Sequence, residues 1–403
     1  MVHQKTTTEI VHCGIFLEIG SRDECPGNQG IAHFWEHMAF KGTRRRRAFH
    51  IINSLDSIGG ELNAYTEKEK VVFYASVRVK YLERAVDILS DITFHSVFPE
   101  REIEKERSVI LEEMAMYRDD PDDSIQDEFE DVVFHSHPMG MNILGREETV
   151  LSFRKRDFTS FISKHIDTHR IVFSCFGNVP LAKIEELSRR YFEIIPPRTS
   201  NGSRLRFSRY NVKEVLLHRP VKQARCAIGQ VAFPIRHKYR IPFFMLVNLL
   251  GGPGMNSRLN LSLRERYGYV YSIEAHYIPY SDTGMFAIFF GTEPQQLTKC
   301  IVLIKNELDR LCNVPLGVRQ LATVKEQVKG QLAVSEENNL SLMFMMGRSV
   351  LDFGKVPSLQ SVYDKIDTVD SFTLQDVAQH MFDERKLSIL KMEPSPDIQT
   401  KDI

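Results

Sequence analysis

The stretch Gly30-Ile-Ala-His-Phe-Trp-Glu-His-Met-Ala-Phe-Lys-Gly42 sets His33 and His37 four residues apart with Glu36 between them. On a helix, positions i and i+4 stand one turn apart on the same face, so two imidazoles placed there can grip one ion. Glu36, three residues after His33, flanks that face, where a carboxylate reaches a water on the metal more readily than the metal itself. Asn28 offers an N-cap and Gly42 a C-terminal stop, so a helix is expected between them. The pattern is H-x-x-E-H, the inverse of the H-E-x-x-H motif of zinc enzymes.

A zinc site built on two such histidines needs a third protein ligand from elsewhere and an open fourth position. Downstream, Glu104-Lys-Glu-Arg-Ser-Val-Ile-Leu-Glu-Glu-Met-Ala-Met116 reads as a helix whose core stripe is Val109, Ile110 and Met114. Glu106 and Glu113 stand about two turns apart on one side of it, and Glu112 points about 100° away from Glu113, so only one of that pair can face an ion. Together the two segments resemble the pitrilysin, insulinase and mitochondrial processing peptidase family of zinc peptidases, which couples H-x-x-E-H to a helix of the form E-R-x-x-x-x-x-E. The resemblance implies His33, His37 and Glu113 as ligands of one zinc ion per chain, Glu36 as general base and Glu106 as an assisting carboxylate.

The formal charge of −1 argues against nucleic acid or an anionic membrane as the main partner, since both need a sustained positive field. Arg44-Arg-Arg-Arg47 is the one basic run, and it is expected to be a solvated edge. The six cysteines form no C-x-x-C pair, and several lie in apolar runs, which fits a reducing compartment. No leader pattern opens the chain and no apolar span reaches bilayer length, so a cytoplasmic protein is expected; a mature mitochondrial matrix protein would read the same way.

Taken in order, residues 11–20 read as a strand, 48–58 as a helix, 71–77 as a strand and 81–92 as a helix. The strand that usually precedes the first of these in the resembled family has no counterpart in the pattern, so an altered sheet edge or a shortened chain is expected. Between them, Gly59-Gly-Glu-Leu-Asn-Ala-Tyr-Thr66 resembles the family's edge strand, which pairs with an extended substrate through main-chain hydrogen bonds. Asn63 and Ala64 are the contacts that this resemblance implies. Pro121 is expected to end the acidic helix in a solvated turn, and His135 and His137 to lie in a loop without a metal role. Residues 171–176 read as a strand and 181–192 as a helix. Residues 196–203, Pro-Pro-Arg-Thr-Ser-Asn-Gly-Ser, have the composition of a linker, and residues from 393 on that of a frayed tail.

Beyond the linker the order of elements repeats at an offset of about 213 residues, estimated from Cys13 and Cys226 on matching strands. The second copy has no H-x-x-E-H. Its Gly251–Leu259 and Leu263–Ser272 segments resemble the family's G-G-x-S-R-L and R-E-x-x-G-x-x-Y-S, which implies that Arg264 and Tyr271 hold substrate or stabilise charge opposite the zinc. Trp35, the only tryptophan, lies about 200° round the helix from His33 and is expected to pack inward.

The expected fold is α+β, two similar α/β-roll domains with mostly antiparallel sheets flanked by helices. Their expected bounds are 1–195 for a zinc-binding catalytic domain, 196–212 for a linker and 213–403 for a degenerate second copy. By the resemblance the chain is a zinc-dependent endopeptidase for unfolded peptides or short proteins. It would work as a homodimer or as a heterodimer with an inactive homologous chain. The competing expectation is a non-catalytic assembly subunit related to processing peptidases.

Overall fold

The computed structural model describes residues 1–200 and 202–395. The first half of the chain runs β1 (Val2–Lys5), β2 (Ile10–Leu17), α1 (Ile31–Ala39), α2 (Ala48–Asp56), β3 (Glu61–Thr66), β4 (Val71–Arg78), α3 (Leu82–Phe94), α4 (Glu100–Asp119), α5 (Pro121–Val133), α6 (Glu147–Ser152), α7 (Lys155–His165), β5 (Ile171–Gly177) and α8 (Leu181–Phe192). The second half runs β6 (Glu214–Arg219), β7 (Ala224–Val231), α9 (Arg240–Gly251), β8 (Val270–Pro279), β9 (Gly284–Thr292), α10 (Leu297–Asn313), α11 (Val318–Ser335), α12 (Asn339–Phe353), α13 (Leu359–Asp367), α14 (Ser371–Met381) and β10 (Ser388–Pro394).

Two five-stranded sheets result, ordered β1-β5-β2-β4-β3 and β6-β10-β7-β9-β8. Their pairings match one for one: β1 lies parallel to β5 as β6 does to β10, and every other neighbouring pair is antiparallel. The strand read as absent is therefore present: β1 forms the outer edge, with Val2 opposite Ser174 and Lys5 opposite Gly177. The tail begins later than expected, because Glu393 and Pro394 belong to β10; residues 396–403 lie outside the described residues.

Period-2 alternation sorts each strand's side chains to two faces. In β2 the odd residues Val11, Cys13, Ile15 and Leu17 enter a core with α1, α3, α7 and α8, while Phe16 on the other face joins Val72, Val172 and Phe176. That second face is covered by Leu342, Met343 and Met346 of α12, a helix from the other half of the chain. The exchange is reciprocal, since Ile125, Phe129, Val132 and Val133 of α5 pack on Ala227, Met285, Ala287, Leu390 and Met392 of the second sheet. The chain accordingly divides into one unit of residues 1–115, 141–205 and 334–356, and another of 116–140, 206–333 and 357–403. The contiguous division at 195 and 213 describes the sheets but not the helices that cover them.

Other local expectations are corrected in the same way. Pro121 does not merely end α4; it occupies the first turn of α5, where its missing N–H costs nothing, and the Asp120 carboxylate caps that helix from Asp122 N at 2.8 Å. Val109 is exposed, whereas Ile110 is buried and Met114 packs against the core as expected, with Ile103 and Glu106 completing the buried side of α4. The basic run is a solvated edge as expected, with Arg44, Arg45 and Arg47 exposed; Arg46 is half-buried, and Arg45 pairs with Asp87 of α3 at 2.8 Å and Arg46 with Asp91 at 2.6 Å. The linker is pinned at its far end: Arg204 sits between Asp23 (2.9 Å) and Glu18 (3.3 Å), and the Leu205 carbonyl accepts from Arg22 at 2.9 Å.

Candidate metal centre

The segment α1 is helical because Ile31, Ala32, Phe34, Trp35, Met38 and Ala39 supply buried surface on two sides, leaving His33, Glu36 and His37 for the third. Trp35 packs inward as expected, edge-on to Phe73 at 5.7 Å. The helix start differs from the expected Asn28 cap. Gly30 occupies the cap position at φ +88°, and a Cβ there would lie 2.4 Å from the Leu144 carbonyl oxygen, so both backbone conformation and space demand glycine. The cap is supplied from a distance: the buried Glu24 carboxylate accepts from Gly30 N–H and Ala32 N–H, each at 2.8 Å. The two N–H groups and the helix dipole favour the charged form, but burial outweighs them and pushes the Glu24 carboxyl up to about 8, so near neutral pH it accepts those bonds chiefly as the protonated acid.

Across from α1, the helix α4 presents Glu113. Its Oε1 lies 3.7 Å from His33 Nε2 and its Oε2 lies 3.4 Å from His37 Nε2. The two imidazole centroids are 4.6 Å apart, and one donor from each of the three residues lies within 4.8 Å of the others. Zinc held tetrahedrally at ~2.1 Å from N and O donors separates those donors by roughly 3.4 Å, so the set has the spacing and the donor chemistry of a zinc site. Among the described residues this is the one group of histidine, cysteine and carboxylate side chains that could hold a metal ion. Glu112 is exposed and outside it, and Glu113 is the glutamate that joins the two histidines in this group.

The surrounding groups tune the three donors. Burial pushes His33 down to about 4, with the His37 charge acting the same way and Glu113 opposing, so its ring is neutral and its lone pair available. Burial also works against a charged His37, but Glu106 and Glu113 outweigh it and carry the ring up to about 9 in the metal-free protein. Glu106, only 6 % exposed, meets His37 Nδ1 at 3.1 Å and Lys41 Nζ at 2.6 Å. Burial raises Glu106, yet the bonds to His37 and Lys41 prevail and hold it below the usual carboxylate range. A carboxylate on the far nitrogen fixes the tautomer and turns Nε2 toward the ion. Glu113 is likewise held low, chiefly by its bond to His37.

Glu36 stands apart from the donor group. Burial raises its carboxyl above the ordinary value, against the bond that Thr66 Oγ1 donates to its Oε2 at 2.6 Å. Thr66 ends β3, the edge strand that also carries Asn63 opposite Tyr74 and Ala64 opposite Phe73. Arg264 and Tyr271 belong to the other unit. Arg264 lies in a π-helical turn, Asn260–Arg266, with its guanidinium 5.7 Å from the ring centroid of Tyr271, and Tyr271 is 87 % exposed at the start of edge strand β8. His137 is buried in that unit against Phe207, and His135 is exposed. Sequence reading missed Glu24 and Lys41. Lys41 had a signal, a cation four residues after a histidine in the motif; Glu24 had none, since a buried carboxylate looks like a solvated one until the fold is known.

The family profile described as Insulinase (Peptidase family M16) matches residues 1–147, and that described as Peptidase M16 inactive domain matches residues 152–328. The chain is 32 % identical over 384 residues to the uncharacterized zinc protease YmxG of Bacillus subtilis, covering 95 % of this chain and 93 % of that one. It is 31 % identical over 385 residues to an uncharacterized zinc protease of Streptomyces coelicolor, covering 94 % and 84 %. Among solved structures, a protease from Helicobacter pylori superposes with a TM-score of 0.88 at 20 % identity, covering 97 % of this chain and 96 % of that one. A peptidase M16 inactive domain from Pseudomonas fluorescens superposes at 0.89 and 15 %, covering 98 % and 94 %. With the same strand order in both sheets and the H-x-x-E-H helix facing a glutamate of α4, the chain belongs to the insulinase family of peptidases, family M16.

Proposed function

We propose that this protein is a zinc-dependent endopeptidase that hydrolyses unfolded peptides or short proteins. The observation that carries the reading is the convergence of His33, His37 and Glu113 on one ion-sized space, with the Glu36 carboxylate beside them and outside the donor set. Zinc held there would supply Lewis acidity, which would lower the pKa of a water toward ~7. His33, His37 and Glu113 hold it, and Glu106, braced by Lys41, keeps His37 turned toward it. Glu36 takes the proton of the attacking water and returns it to the leaving nitrogen. The raised pKa that burial gives Glu36 moves it toward the range where a group can both accept and return a proton.

Substrate lies along β3, which is paired on one side only, so its free edge offers main-chain groups to an extended peptide at Asn63 and Ala64. Such pairing reads backbone more than side chains, which supports tolerance of sequence and a requirement for unfolded substrate. Arg264 and Tyr271 are the proposed substrate and charge-stabilising groups of the other unit. A two-chain assembly, of like copies or with an inactive homologous partner, is part of the same reading. The test is zinc content and hydrolysis of quenched peptides by the parent and by Glu36→Gln. Zinc-dependent turnover in the parent, abolished in the variant with zinc retained, supports the reading. A zinc-loaded parent that cleaves no peptide, even after mixing with candidate partner chains, overturns it in favour of a non-catalytic assembly subunit.

A further inference from the structure

A free glutamate side chain turns easily about its last torsion, so a general base that must meet one water needs something to stop that rotation. In Glu36 the stop is a single contact. Thr66 Oγ1 donates to Oε2 at 2.6 Å, and among the described residues this is the only hydrogen bond the carboxylate receives. The donor is itself well fixed. Thr66 is β-branched and pairs with Val71 across the ladder, and the next residue closes the hairpin through Glu67 N–H to the Lys70 carbonyl at 2.7 Å. Alternation puts Leu62, Ala64 and Thr66 on one face of β3. Leu62 and Ala64 pack against the core there, while Thr66 carries a hydroxyl aimed at Glu36.

Resting on the metallopeptidase reading above, we infer that Thr66 is the positioning residue of the general base. Its hydroxyl occupies Oε2 and leaves Oε1 as the oxygen that receives the proton of the attacking water. Because Thr66 lies on the same strand as Asn63 and Ala64, the strand that registers the substrate also sets the direction of the base.

The experiment compares the full-length parent with Thr66→Val and Thr66→Ser, using a quenched fluorogenic peptide and a chromophoric chelator that competes for zinc. Thr66→Val is expected to lower kcat roughly ten- to a hundredfold, the value of one charge-assisted hydrogen bond, with KM and the zinc Kd each within about twofold of the parent. Thr66→Ser is expected to recover most of the lost kcat. A valine variant with kcat within about twofold of the parent overturns the inference. A valine variant whose zinc affinity falls in step with its kcat, or a serine variant as impaired as valine, also overturns it, by assigning the residue to support of the metal site or to packing. A parent with no zinc-dependent turnover sinks the peptidase reading itself, a result distinct from a working parent that is indifferent to the hydroxyl at 66.

Discussion

Replacing Glu106 with glutamine removes one charge and almost no volume from the metal site, and its effect can be worked from three contacts. In the parent, Glu106 receives His37 Nδ1 at 3.1 Å and Lys41 Nζ at 2.6 Å while only 6 % of the residue is exposed, so both bonds are charge-assisted and poorly screened. They orient His37 so that Nε2 stands 3.4 Å from Glu113. Loss of a partner on the far nitrogen of a metal-binding imidazole costs ~10- to 100-fold in metal affinity, or about 1.4–2.7 kcal/mol. Zinc Kd measured by chelator competition at pH 7 is therefore expected to rise by that factor in Glu106→Gln, with the fluorescence of Trp35 unchanged because its ring is buried on another side of α1. Lys41→Met supplies the second arm of a double-mutant cycle. Its cost should be large in the parent background and small once residue 106 is neutral, since the lysine then has no carboxylate to hold. A Glu106→Gln protein that binds zinc within about twofold of the parent would refute the orienting role, given that the geometry assigns no other group to His37 Nδ1.

Three further outcomes follow from other parts of the molecule. Glu36→Gln should retain zinc while losing about 10²- to 10⁴-fold in kcat, read from peptide hydrolysis beside metal analysis; turnover near the parent's level would remove Glu36 from the proton path. Gly347→Val should lower the denaturation midpoint by an amount equivalent to ~1–3 kcal/mol, because a Cβ at 347 would lie 2.4 Å from the Phe16 ring; an unchanged midpoint in urea would mean that α12 can lift away from the sheet without cost. Glu24 tests pH dependence. Burial drives its carboxyl from 4.5 up to about 8, partly opposed by the Ala32 and Gly30 N–H groups, so folded protein holds a proton that the unfolded chain releases, and stability from this group falls as pH rises from about 4.5 to about 8. Urea midpoints of the parent and Glu24→Gln across that window should converge or cross in favour of the variant as pH rises, and parallel curves would show that Glu24 keeps its ordinary titration.

How much was legible in the sequence depended on how local the determining interaction is. The α8 boundaries, Leu181 to Phe192, followed from the residues alone, as did the 213-residue repeat, because helical and strand periods are written in neighbouring positions. The strand β1 was missed: Val2–Lys5 is four residues long, and its partner β5 lies some 170 residues on in the ladder that pairs His3 with Cys175, so no short window contains its reason for being extended. Pro121 was read as a stop because a proline ends one helix and starts the next with the same chemistry, and only packing of Phe129 and Val133 on the second sheet decides that a helix follows. The i, i+4 histidines and the distant Glu113 were readable as a pattern. Lys41 is marked by its place four residues after His37, whereas Glu24 and the hydroxyl of Thr66 act through space, from a loop and a strand, and nothing in their spacing marks them.

The exchange of α5 and α12 bears on how the protein is made. While the ribosome has released only the first two hundred residues, Phe16, Val72, Val172 and Phe176 form an apolar surface with nothing over it, and the side of α5 that bears Phe129 has no sheet to sit on. The unit that carries His33, His37 and Glu113 is finished only when the segment ending at residue 356 emerges. A protein whose early half cannot be completed by itself should depend on chaperones during synthesis, and should not yield an independently stable amino-terminal fragment when translation is cut short.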